Sequence, residues 1–260
     1  MVSLRFMNHR TAFSLIELSI VLVILGLLTG GILAGRSLIR ASELRAVMTE
    51  SDRFRTAGHA FRDKYMALPG DMTNATAFWG KNATYCNGHP GVATVSGTCN
   101  GDGSGRITSN GGTLNQTVEQ LQVWNQLALA GLITGMYSGI SGSSVFYVPE
   151  VNLPASKLAK ASWTWMYVNY LPSGDTWNFA YDVGNRLRIH DHITGGGVLR
   201  AEEAWNIDTK LDDGQPGTGK IIGVLRNNCT NASSATDYST VYRLTSTSLT
   251  ACSLDWRNAI

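Results

Sequence analysis

No proline occurs before Pro69, so nothing in the first quarter of the chain forces a helix to break. Charge is also scarce. Asp, Glu, Lys and Arg make up 15% of the 260 residues, and the formal net charge is +2. Without its first twelve residues, which hold Arg5 and Arg10 and no acid, Lys+Arg falls from 21 to 19 against 19 Asp+Glu. That balance leaves no basic footprint for a nucleic-acid partner. There is no C-x-x-C pair, which argues against a structural zinc site. G-x-S-x-G, the phosphate-binding loop and H-E-x-x-H are absent too, and no enzymatic activity is expected. No internal repeat is evident. An A-x-A site is missing after the apolar run, which argues against an ordinary secretory signal peptide.

What is present begins with that apolar run. From Phe13 to Ala34 nearly every residue is apolar, enough for roughly 33 Å of helix and a bilayer crossing. Glu17 interrupts it. A carboxylate in a lipid-facing helix costs about 2.5–3.5 kcal/mol, so Glu17 needs a partner. Cutting between Ala12 and Phe13 would create an ammonium at the start of the same helix and place Glu17 in its first turn, where the helix dipole favours negative charge.

The short basic leader, the small residue Ala12, then Phe13-Ser14-Leu15-Ile16-Glu17 and an apolar helix resemble the processing signal of type IV prepilins and type II secretion pseudopilins. The resemblance implies a cut after Ala12 by a prepilin peptidase, N-methylation of Phe13, and a role for Glu17 in guiding assembly. Ala12 departs from the Gly usual in that family. The resemblance further implies a single-pass bacterial inner-membrane protein with a periplasmic C-terminal domain, which later joins a periplasmic or extracellular filament. Its partners would be membrane lipid, other pilin or pseudopilin subunits and the inner-membrane assembly machinery. Arg36, Arg40 and Arg45 follow the span, so the distribution of positive charge alone does not set that orientation.

Beyond the span, Leu44, Val47, Phe54, Gly58, Phe61 and Tyr65 recur at helical spacing among charged residues. They predict an amphipathic continuation that needs a globular domain to cover its apolar stripe. Leu68-Pro69-Gly70-Asp71 ends it. The expected division is a leader over 1–12, a long helix over 13–68 (13–34 transmembrane) and a disulfide-clipped domain over 69–260. Gly26, Gly30, Gly31 and Gly35 form two G-x-x-x-G spacings in the span, which permit close helix approach.

Within the domain, Asp71 is expected to cap a short helix that Gly80 ends, and Thr117-x-x-Gln120 reads as a capping box opening a helix that stops at Gly131. Strands are expected at 145–148, 162–170, 177–181 and 186–189, with Gly184-Asn185 as a turn between the last two. Helical spacing returns over 198–211, and a final strand pair is expected at about 220–225 and 241–248. The fold class is therefore α+β: a long N-terminal transmembrane and amphipathic helix packed on an antiparallel sheet, as in pilins. Cys86, Cys99, Cys229 and Cys252 all lie beyond the span. An even count there reads as disulfides in an oxidising compartment, and nearest-neighbour pairing would close loops 86–99 and 229–252.

Two acidic loops are candidates for calcium. Asn100, Asp102, Ser104 and the Arg106 carbonyl follow the first half of an EF-hand-like loop, and Glu119 is placed to supply the missing acid. Asp208, Asp212 and Asp213 form the second; that run is similar to the C-terminal calcium loops of major pseudopilins. His190-Asp191-His192 reads as an exposed loop edge. Two functions follow: a filament subunit assembled through its N-terminal helix, or a membrane-anchored periplasmic ligand- or metal-binding domain that reuses the same anchor.

Overall fold

The computed structural model describes residues 14–86, 93–94, 97–109, 117–171, 177–224 and 228–260. Helix α1 runs from Leu15 to Tyr65. It ends three residues before the expected Leu68, where Met66 turns to a φ of 53°. Two compact units divide within α1, one reaching Glu43 and the other covering Leu44–Ile260. In the first unit the apolar side chains are exposed, from Leu15 at 88% to Ile39 at 62%. In the second, α1 buries Val47, Phe54, Gly58 and Phe61 of the expected stripe, with Ser51 and Ala57 beside them, while Leu44 and Tyr65 are partly buried against the core.

That stripe packs on the domain. The remaining elements are α2 (Ala75–Trp79), β1 (Lys81–Asn82), β2 (Ala93–Thr94), α3 (Glu119–Leu129), β3 (Ala161–Asn169), β4 (Asp182–Asp191), α4 (Ala201–Leu211), β5 (Ile221–Gly223) and β6 (Leu254–Trp256). The main sheet is antiparallel in the order β3-β4-β6-β5. One of its faces carries Trp163, Trp165, Leu187, Ile189, Leu254 and Trp256, all buried. The Phe54 ring of α1 meets Trp124 of α3 at 5.0 Å and Trp163 of β3 at 5.8 Å, both edge-on. Glu50 adds a polar tie. Its carboxylate accepts hydrogen bonds from Trp163 Nε1 at 2.8 Å, Ser156 Oγ at 2.6 Å and Lys157 N at 3.1 Å.

Alternation along the strands puts Arg186, Arg188, His190 and Asp255 on the opposite face. Arg186 and Arg188 both bond Asp255. Burial works to raise the Asp255 pKa, but the two guanidiniums outweigh it and hold the carboxyl below its usual range. His190 is buried, and desolvation followed by Arg188 and Arg186 lowers its pKa to about 3.

Several local expectations are corrected. Asp71 does not cap α2: Asn74 occupies that position, without a side-chain cap bond, while the Asp71 carboxylate bonds Ser104 and Gly105. The capping box at Thr117 and Gln120 does not form. Val118 is the N-cap of α3, Thr117 bridges Ile140, and Gln120 Nε2 donates to the Tyr147 hydroxyl at 2.7 Å. Residues 145–148 are not a strand, because the Asn152 side chain takes the Val148 N–H and the Phe146 and Ile140 carbonyls. Gly184-Asn185 is no turn. It lies inside β4, where the pairing with β3 shifts register between Val168 and Asn169. Gly184 has a φ of +68°, and a Cβ there would overlap the Asn258 side chain, so the glycine serves a bulge. Residues 177–181 are not a strand, nor are 241–248, and β5 pairs with β6 instead. His190 is not on an exposed edge but buried within β4.

Candidate functional site

The N-terminal site is built from the start of α1. Ser14 Oγ accepts a hydrogen bond from Ile16 N at 3.3 Å, and the Glu17 carboxylate reaches back to Ser14 N at 2.9 Å. The glutamate half of an S-x-x-E capping box is formed, while the Ser14 hydroxyl caps the Ile16 N–H instead of that of Glu17; sequence reasoning passed over this pattern although it is present in the residues. Glu17 thus sits in the first helical turn with its carboxylate turned toward the helix start. Behind it, the apolar stretch of α1 is wholly unburied. The helix is long and apolar enough to cross a membrane. Added Cβ atoms at Gly26, Gly30, Gly31 and Gly35 would meet nothing within 4 Å, so these positions leave a smooth surface for another helix. Ala12 and Phe13, the expected cleavage site, lie outside the described residues.

Two carboxylate groups lie in the domain. In the first, oxygens of Asp71, Asp102 and Glu119 fall within 4.8 Å of one another. Asp102 and Glu119 are two of the five expected ligands, and Asp71 is the one that spacing did not reveal. It arrives because residues 101–105 dock on the turn after α1: Gly101 N bonds Met72 O at 2.9 Å and Gly103 N bonds Asp71 O at 3.1 Å. A Cβ on Gly101 would lie 2.3 Å from the Asp71 Cα, so only glycine permits this approach. Glu119 is held by Asp102 N at 3.0 Å and by Thr108 N and Oγ1 at 2.9 and 2.6 Å. The other expected ligands are engaged elsewhere. Asn100 Oδ1 accepts from Thr76 N at 2.9 Å, and Ser104 Oγ donates to the Arg106 carbonyl at 3.3 Å. The Arg106 guanidinium lies over the Tyr167 ring. Burial, with the charge of Glu119 and contact with Asp102 adding to it, raises the Asp71 pKa to about 6.

The second group brings together Asp208, Asp212 and Asp213, again within 4.8 Å. Asp208 is fully buried and accepts the Tyr242 hydroxyl at 2.8 Å. Burial comes first, and Asp213 and Asp212 add to it, in pushing the Asp208 pKa up to about 7. Asp212 follows the last residue of α4 and accepts Ile221 N at 2.9 Å and Lys220 N, tying the helix end to β5. Asp213 accepts Gln215 N at 2.8 Å and Thr218 Oγ1 at 2.6 Å.

Disulfides join Cys86 to Cys99 and Cys229 to Cys252. The first ends beside Asn100, at the entry to the Asp102 loop. The second ties the segment after β5 to the residues that lead into β6.

The apolar, uncovered helix with an acid in its first turn is matched from outside the chain as well: a family described as the prokaryotic N-terminal methylation motif covers residues 7–33. The chain carries a prepilin-type methylation signal. The motif takes in residues 7–12, Phe13, the Ser14–Glu17 cap and the apolar helix as far as Leu33. It supports reading the chain as a precursor of the type IV pilin or pseudopilin kind, with an N-terminal membrane anchor. The motif does not extend into the domain, and neither a curated protein nor a solved structure matches the chain.

Proposed function

We propose that the chain is a subunit of a type IV pilus-like or type II secretion pseudopilus filament. A prepilin peptidase cuts it after Ala12 and methylates Phe13, and it waits in the inner membrane with its domain in the periplasm. The observation that carries this reading is the methylation motif over residues 7–33 on a helix whose apolar stretch is wholly uncovered. An apolar surface of that extent needs lipid or other helices around it. Passing from lipid into a core of like helices exchanges one apolar environment for another, so little hydrophobic free energy opposes extraction. Glu17 supplies the register, because its charge is costly in an apolar core unless it meets a neighbour's amine.

The test is Glu17→Leu. The variant should insert into the membrane at least as well as wild type, since an expensive charge is gone, but should be lost from filaments. Fractionation with immunoblotting reads both. Normal incorporation of the variant would remove Glu17 from the mechanism.

Calcium belongs to the same proposal. Both carboxylate groups are all-oxygen donor sets of the kind hard cations take, and the raised pKa values of Asp71 and Asp208 reflect burial and neighbouring acids that a cation would offset. Asp71, Asp102 and Glu119 would hold one ion, and Asp208, Asp212 and Asp213 the other. Calcium should raise the melting temperature of the full chain, by about 2.7 kcal/mol of added stability per site at a hundredfold excess over Kd. Asp102→Ala and Asp208→Asn should each remove one site's share, and magnesium should do much less. A melting temperature indifferent to calcium would leave both groups as structural turns.

A further inference from the structure

Outside these groups lies a cleft of about 450 Å³ between the C-terminal half of α3 and the segments 135–138 and 150–151. That volume is within the range of small-molecule sites. Its walls are mainly apolar, with Ala128, Leu129, Met136, Tyr137 and Val151 among the lining residues. Met136 and Val151 stand 90% and 51% exposed, which is costly for apolar side chains with nothing against them.

Asn82, Asn125, Ser138 and Glu150 add polar groups to the lining. Asn125 is 95% buried, since its exposure is 5%. Its Nδ2 donates to Tyr137 O at 2.8 Å, while its Oδ1 has no hydrogen-bond partner among the described residues. A buried acceptor without a donor costs free energy, and this one is enclosed by the protein beneath the cleft rather than open to it. Among the described residues, Glu150 is the single carboxylate in the lining, and no lysine or arginine lines it. Glu150 holds its place in an unusual backbone conformation, with a φ of 63°, and one carboxylate oxygen accepts Ala155 N at 3.0 Å. After burial, its charge is the next cause that raises the pKa of the Tyr137 phenol, pushed up to about 12. Arg53 acts on the same phenol in the opposite sense, and Glu150 outweighs it.

We propose that this cleft binds a small amphipathic amine: an apolar body against Leu129, Met136 and Val151, with an ammonium directed to the exposed carboxylate of Glu150. An anion would meet the like charge of Glu150, and a neutral molecule would make no ion pair with it.

Isothermal titration calorimetry on the full chain in nanodiscs of zwitterionic lipid tests this with 4-phenylbutylamine, 4-phenylbutanol and 4-phenylbutyrate. The amine should bind saturably, the alcohol more weakly, and the carboxylate at least about tenfold more weakly than the amine. Glu150→Gln keeps an oxygen for Ala155 N and should cut amine affinity to the level of the alcohol, with alcohol affinity unchanged. Val151→Arg, at the exposed rim, should exclude the amine without disturbing the core. Equal affinity for amine and carboxylate would overturn the proposal. So would absence of saturable amine binding, or amine binding by Val151→Arg that equals wild type. Filament incorporation, read separately, does not depend on this result.

Discussion

Asp255→Ala should destabilise the domain by about 3–5 kcal/mol, a large fraction of its total stability. Arg186 and Arg188 sit on one face of the sheet with side chains only 4% and 13% exposed, and Asp255 bonds both. Removing the carboxylate strands two buried guanidiniums beside each other. Breaking a buried pair costs about 3–5 kcal/mol, against a total stability of about 5–15 kcal/mol for a domain. Arg186→Met is the informative companion. It leaves Arg188 with its two bonds to Asp255 and a further bond to Asn178 Oδ1 at 2.9 Å. It also removes the cation whose pKa is lowered by burial and by Arg188. The expected loss is far smaller, or a gain. Urea unfolding of the full chain reads both. An Asp255→Ala variant within about 1 kcal/mol of wild type would mean that the charges are not enclosed as described.

Acid sensitivity is the second large effect, and His190 sets its sign. Its folded pKa is lowered to about 3, against about 6.5 unfolded. Between those values the unfolded chain binds the extra proton, so this contribution is full above about pH 6.5 and is lost as pH falls toward 3, by up to about 5 kcal/mol. The groups around the imidazole are Arg188 and Arg186, which oppose its protonation, Asp255, which favours it, and the Tyr147 ring at 5.6 Å. Asp71 and Asp208 act in the other direction. Their raised pKa values make the folded state bind the extra proton, so their contributions grow as pH falls from about 7 toward 4. The His190 share is isolated by comparison with His190→Gln. Relative to that variant, wild type should lose about 2–3 kcal/mol between about pH 6.5 and 4.5 in denaturant unfolding. Parallel pH profiles for the two proteins would refute it.

How much of this was readable in the residues depends on how local each feature is. The long helix was, because the absence of proline and the spacing of Val47, Phe54 and Phe61 report directly on one element. The acidic group after α4 was too, since Asp208, Asp212 and Asp213 lie within one turn of helix and its exit. Asp71 was not. It meets Asp102 only because the Gly101 loop docks on the turn after α1, a contact between distant segments. The sheet order was hidden for a related reason. Gly184-Asn185 has the composition of a turn, but the Asn258 side chain and the Val168–Asn169 irregularity make it a bulge in one long strand. Residues 254–256 are too few for a period-2 signal, and they become β6 through pairing with Leu187–Ile189 and Ile221–Gly223. The buried face of Arg186, Arg188 and His190 reads from the sequence as exposed charge. Only the opposed Asp255 makes its burial affordable.

The central claim is that this is a processed filament precursor, and the mass of the mature N-terminus tests it most directly. Protein extracted from membranes of cells that contain the prepilin peptidase should begin at N-methylated Phe13. It should revert to an uncut chain when the peptidase is absent. A mature form that retains Met1 with the peptidase present, or one cut beyond Ala34, would contradict the account.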